Sequence, residues 1–154
     1  FIPFFRIKRQ TFTKREIWHA GDIGTLQLAD SISKWAPIFR AVYGNIDGQD
    51  LRQAYPENNR FTLEGVDVLI THIGGYPGRY DPRIRSTLFA NPPKLFIAGH
   101  SHILKVMFDK KIKTLHMNPG AAGIYGFHKV RTLLRFVLDN GNIRDLEVIE
   151  LGER

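Results

Sequence analysis

Leu95-Phe-Ile-Ala-Gly-His-Ser-His102 is the stretch on which the reading of the chain turns. An apolar run stops at a glycine, and two imidazoles follow with one residue between them. A buried strand that delivers two histidines to its carboxyl end accounts for this better than core packing does. Three other segments repeat the design with different polar residues: Ile17-Trp-His-Ala-Gly-Asp22, Arg40-Ala-Val-Tyr-Gly-Asn45 and Val66-Asp-Val-Leu-Ile-Thr-His72. Each is a short β-prone run that ends at a side chain able to bind a cation. Loops outside the carboxyl ends of parallel strands are where α/β proteins build their sites. The expectation is that Asp22, Asn45, His72, His100 and His102 converge on one metal centre.

The bulk properties fit that expectation. A chain of 154 residues reads as one domain over residues 1–154, burying roughly two thirds of its unfolded surface. Hydrophobic content of 43% and charged content of 24% are ordinary for a globular protein. No apolar run approaches the roughly 20 residues that span a bilayer. The chain has no cysteine, which excludes disulfides, thiolate catalysis and sulfur-ligated zinc and suits a cytoplasmic protein. The formal charge of +7 is compatible with anionic substrates. The basic residues are scattered and read first as a solvated surface, so nucleic acid is the weakest of the partners considered. Residues 1–15 are the exception, an atypical basic arm carrying Arg6, Lys8, Arg9, Lys14 and Arg15.

Along the chain the period switches once. Strands are expected at Phe4–Phe12, Ile17–Ala20, Phe39–Tyr43, Arg60–Leu63, Val66–Thr71 and Lys94–Ala98. Between them, Thr25 caps a helix reaching about Ala36, and Gln49–Tyr55 forms a short one. Asp81-Pro82 starts a third, with Asp as N-cap and Pro at the first helical position. His72 opens a glycine-rich loop through Gly78. From Leu104 onward only strands are expected: Leu104–Phe108, Ile112–Met117, and a hairpin of Val130–Leu138 with Ile143–Leu151 turning at Asn140-Gly141. Two packed sheets with helices outside follow. Trp18, Trp35, Phe89 and Phe136 are core candidates. His19 reads as structural, as do His116 and His128. Arg79 and Tyr80 read as solvated loop residues that could also meet a phosphate.

Asp, Asn and His offer donors of borderline hardness, suited to Mn, Fe, Zn, Ni or Co rather than Ca or Cu(I). Asp22 is the one carboxylate at a glycine-turned strand end able to bridge two cations. Two metals roughly 3.5–4 Å apart lower the pKa of a bridging water and clamp a phosphoryl group. No side-chain nucleophile is needed, in keeping with the lack of Cys and of a serine elbow.

The order Gly21-Asp22, Gly44-Asn45, Thr71-His72, Gly99-His100-Ser101-His102 resembles the calcineurin-like metallophosphoesterase superfamily. The short length, His19-Ala-Gly-Asp-Ile23 and Asn118-Pro-Gly-Ala121 resemble its small bacterial and archaeal phosphodiesterase branch, over about residues 16–151. The resemblance implies a four-layer α/β/β/α sandwich and a phosphodiesterase acting on a small phosphoester, with Asp22, Asn45 and His72 catalytic. Two divalent transition-metal ions, Mn or else Ni, Zn or Fe, are expected in the family. Asp22 would bridge them, Asn45, His72 and His100 would complete the second site, and His102 would serve the first. It implies no membrane partner and leaves a homo-oligomer open.

Two departures stand out. The family opens with Asp-x-His, and no Asp precedes Asp22 here. Only 20 residues precede Gly21, too few for a complete first strand and helix, so the first metal site is expected empty or weak, with one ion or none bound. The pattern reads as an incomplete start rather than gradual loss. Where many members carry a histidine after the Gly-Asn asparagine, this chain has Ile46, which cannot transfer a proton; good leaving groups such as aryl esters are then favoured. The alternative is a catalytically impaired scaffold of the same fold for protein interaction, as the retromer small subunit is within this superfamily.

Overall fold

A computed structural model describes residues 15–154. The strand expected at Phe4–Phe12 and the basic arm, Arg15 apart, lie outside the described residues.

The parallel strands are buried on both faces, and their sequences show it. In β4 (Val66–Thr71), Val66, Val68 and Ile70 face one way and Leu69 the other. In β7 (Leu95–Ala98), Leu95 and Ile97 oppose Phe96 and Ala98. Successive strand side chains point to opposite faces, so near-continuous apolar runs suit a sheet covered twice. These two strands centre a five-stranded sheet. Its order is β3 (Asn58–Leu63), β4, β7, β9 (Thr114–Pro119) and β8 (Leu104–Asp109). β4, β7 and β9 run parallel, and the two edge strands run antiparallel to their neighbours.

A second, two-stranded parallel sheet pairs β1 (Glu16–Ala20) with β2 (Ile38–Val42) through the crossover helix α1 (Leu26–Ser33). The main core lies between the sheets. Trp18, Ala20 and Val42 meet Val68, Ile70, Leu95, Ile97 and Met117, with Leu134, Phe136 and Leu138 from β10 (Val130–Asp139). Trp18 packs edge-on against both Phe61 and Phe136. On the outer face of the small sheet, α1 and α2 (Gln49–Ala54) bury Ala29 and Leu51 against Ile23 and Ala41. On the outer face of the large sheet, α3 (Pro82–Ala90) buries Ile84 and Leu88 against Leu69 and Phe96. The succession helix, sheet, sheet, helix is the four-layer arrangement expected. β11 (Asn142–Glu153) completes a hairpin with β10, turning at Asn140 and Gly141, both at positive φ. The Gly75–Gly78 region holds a small ribbon, β5 (Gly75–Tyr76) with β6 (Arg79–Tyr80). Among the described residues no helix is long and apolar enough to cross a membrane.

Local signals held where capping chemistry decides. Thr25 Oγ1 accepts from Leu28 N, and Asp81 accepts from Arg83 N with Pro82 opening the helix. Two core candidates are corrected. Trp35 is 61% exposed and Phe89 47% exposed. α1 ends at Ser33, so Trp35 falls beyond its apolar face, and Phe89 is turned about 100° from Leu88 toward solvent. The expected strand at Ile112–Met117 starts at Thr114 instead, because Lys113 takes a positive φ in the turn.

Candidate metal centre

Both sheets aim their parallel strands at one rim. β1 ends at Ala20 and releases Gly21-Asp22; β2 ends at Val42 and releases Gly44-Asn45; β4 ends at Thr71 before His72; β7 ends at Ala98 before Gly99-His100. Asp22, His72 and His100 each offer a donor atom within 4.8 Å of the others'. Asp22 Oδ1 lies 3.2 Å from His72 Nε2, and Asn45 Oδ1 lies 2.9 Å from the same nitrogen. The His72 and His100 rings stand edge to face, 5.1 Å apart. His102 lies outside the trio, though the fields of Asp22 and His72 reach it.

The glycines make this convergence sterically feasible. A Cβ on Gly44 would lie 2.0 Å from Asp22 Oδ1 and 2.2 Å from Asp22 N, and one on Gly21 would lie 2.5 Å from His72 Nδ1. The donors themselves bear the strain. Asp22, His100 and His102 hold φ of 58°, 64° and 56°, a left-handed conformation that L-residues other than Gly adopt rarely.

A supporting shell holds these loops. Asp47 is buried, and its carboxylate accepts from Ile23 N (3.1 Å), Gly24 N (2.8 Å) and Gly44 N (2.7 Å). It therefore ties the Asp22 loop to the Asn45 loop. The capping role that its place before α2 suggests is not taken; Gly48 is the N-cap. Arg52 grips the same turn from outside through the carbonyls of Gly44, Asn45 and Asp47, over the Tyr43 ring. Asn118 Nδ2 donates to Gly99 O and Ser101 Oγ, bracing the His100 loop. Asp47 and Arg52 left no mark in the sequence that separates them from ordinary turn and helix residues.

Protonation follows burial. Burial would raise the Asp22 carboxyl, but the neighbouring His72 and the Ile46 amide hold it below its ordinary value. Burial lowers His100 and His102, which favours the neutral imidazoles that ligate metals. His19 is fully buried with neither ring nitrogen paired among the described residues, and burial drives it down to about 3. His116 packs on Phe96, and His128 Nε2 accepts from Leu104 N. Tyr80 is buried, its hydroxyl donating to Asp109, while Arg79 is exposed.

With that geometry in place, comparison with known proteins decides the family. The model of the calcineurin-like phosphoesterase superfamily domain matches residues 6–141. The chain belongs to that superfamily. Solved structures of the calcineurin-like phosphoesterase fold agree. An archaeal phosphodiesterase shares 20% identity over 88% of this chain and 82% of its own, with a TM-score of 0.63. A Thermotoga maritima protein solved by NMR shares 25% identity over 88% and 80%, at 0.64. Vps29 from Entamoeba histolytica shares 15% over 89% and 82%, at 0.67. No curated protein sequence matches significantly.

Proposed function

We propose that the protein is a metal-dependent phosphoesterase acting on phosphodiesters, with Asp22, Asn45, His72 and His100 holding the cation and His102 serving a second, weaker position. One observation carries the reading. His72 Nδ1 lies 2.7 Å from the carbonyl oxygen of Ala20, which can only accept, so Nδ1 bears the proton. In the neutral ring Nε2 then presents a lone pair toward Asp22 Oδ1 and Asn45 Oδ1. A ring lone pair and two side-chain oxygens thus converge, Asp22 Oδ1 also accepting from the Ile46 amide, and a divalent cation would fit this donor set. The donor set suits Mn, Fe, Zn or Ni.

A cation held there would supply Lewis acidity toward the phosphoryl oxygens and toward water. The chain's own groups do the rest. Asp22, kept ionised, supplies the negative charge that holds the cation. Ala20 O fixes the His72 tautomer, the usual task of a carbonyl behind a metal-binding histidine. Ile46 contributes an amide to Asp22 and no proton donor to the leaving group, which restricts efficient turnover to esters with acidic leaving groups.

Titration of the chain with Mn²⁺, followed by p-nitrophenolate release from bis-p-nitrophenyl phosphate, tests the proposal. Stoichiometric uptake with metal-dependent release is expected; no uptake at millimolar metal removes it. Vps29 is among the structural neighbours, a likeness of fold, and it supports the scaffold as the second reading. A Vps29 structure is itself a Zn²⁺ complex, so nitrophenolate release rather than metal uptake separates the two: uptake without release favours the scaffold.

A further inference from the structure

Beside the metal donors opens a cleft of about 470 Å³, with Asn45 and His72 on one wall and Tyr43, Glu57, Ile73 and Arg83 among its other lining residues. That volume is within the range of about 300–1,000 Å³ typical of small-molecule sites. Two guanidiniums line the cleft, and they differ in what they have left to offer. Arg52 spends its Nε and Nη2 on three backbone carbonyls. Arg83 stands at the first turn of α3 and is 59% exposed. Asp81 takes its Nε at 2.8 Å and its Nη2 at 3.0 Å. Nη1 keeps both protons without a protein acceptor among the described residues. Asp81 is itself fixed as the α3 N-cap, so the fork is ordered before any ligand arrives.

We infer that Arg83 is a specificity residue and that the cleft is a subsite for phosphoesters carrying a second phosphate on the ester substituent. The inference rests on the phosphoesterase reading for the scissile group and on the cleft alone for the second one. Glu57 is the opposing charge in the same cleft and interacts with Arg83. Glu57 repels any anion there, and a carboxylate ligand offers Arg83 only one negative charge and two oxygens to offset that repulsion. A terminal phosphate brings nearly two at neutral pH and three acceptor oxygens for a guanidinium, so phosphate is the group the cleft favours.

Two probes test this: thymidine 5′-(p-nitrophenyl phosphate), and the same ester with a 3′-phosphate. They release the same nitrophenolate and differ only in the second anion. In the metal-loaded protein the 3′-phosphorylated probe should have the higher kcat/KM through a lower KM. Arg83→Ala should cut that preference about tenfold, with Arg83→Lys between, because a point charge lacks the fork. Arg85→Ala, whose side chain lies over Phe89 away from the cleft, should retain it. Direct titration of the metal-free full chain with thymidine 3′,5′-bisphosphate gives a readout independent of turnover, and Arg83→Ala should weaken that binding about tenfold. An unchanged preference in Arg83→Ala, or bisphosphate binding that is absent or independent of Arg83, overturns the assignment. Arg83-dependent binding in a protein that hydrolyses neither probe sustains the subsite and overturns the phosphoesterase reading instead.

Discussion

His72 Nδ1 sits 2.7 Å from the backbone oxygen of Ala20, two residues before Asp22. A main-chain atom of β1 thereby sets the tautomer of a side chain from the other sheet, and Nε2 is turned to the cluster. Replacing His72 with Gln exchanges the imidazole nitrogen for a weaker amide donor and keeps a polar group in the space. Mn²⁺ affinity should fall at least 100-fold by calorimetry while the far-UV circular dichroism spectrum stays native. Retained affinity would mean that Nε2 is not a ligand.

Asp47 makes a separate prediction because it touches no expected ligand atom. Its removal leaves three buried or half-buried amides unpaired, each worth about 1–3 kcal/mol. Asp47→Ala should lower unfolding free energy by roughly 3 kcal/mol in urea, and Asp47→Asn by less. A loss below about 0.5 kcal/mol would show that the two loops hold together without it.

Gly44 faces Asp22 too closely for any side chain. The nearest atoms to an added Cβ include Asp22 N at 2.2 Å, and backbone cannot swing aside as a side-chain tip can. Gly44→Ala should therefore displace Asp22 and abolish metal uptake. Gly78→Ala, where an added Cβ meets nothing within 4 Å, is the control for metal binding; its positive φ should cost about 1 kcal/mol of stability. Equal metal affinity in both variants would sink the steric account.

Stability should fall in acid through His116. Burial, with a smaller push from Lys105, lowers its pKa from 6.5 to about 4. Between those values the unfolded chain binds the proton and the folded chain does not, so stability rises with pH across that window and is lost as pH falls through it. The full swing is at most roughly 3 kcal/mol. His116 Nδ1 has no partner among the described residues, so His116→Leu should be tolerated at pH 7.5 and should flatten the decline measured by denaturation between pH 6.5 and 4. An unaltered slope would assign the decline to other groups.

Ile46 is 64% exposed beside Asn45, and only its backbone amide serves Asp22. Ile46→His adds a proton donor at that rim without removing the amide. General acid catalysis is worth about 10²–10⁴-fold where alignment is good. At least tenfold gains on alkyl phosphodiesters, with little change on nitrophenyl esters, are expected from steady-state rates. Equal gains on both classes would rule out leaving-group protonation.

Much of this arrangement was legible beforehand, and for a physical reason. A donor placed after a buried strand needs a sharp exit, so Gly21-Asp22, Gly44-Asn45 and Gly99-His100 announce themselves as apolar runs broken by glycine and a polar residue. Helix starts at Thr25 and Asp81 were equally plain, because a cap is a contact within three residues. What stayed hidden depends on contacts distant in sequence. Asp47 looks like one more acid before a helix until Ile23 and Gly24 are seen above it. Arg83 looks like a solvated helix residue until the cleft beside it is visible. Trp35 and Phe89 misled because bulk and apolarity mark a side chain as core without saying which way its backbone turns.

The left-handed angles of Asp22, His100 and His102 carry a consequence for stability. Each departs from the right-handed norm at about 1–2 kcal/mol, so glycine at these positions would make a sturdier molecule that no longer gathers its donors. Stability and donor placement are thus opposed at three main-chain positions.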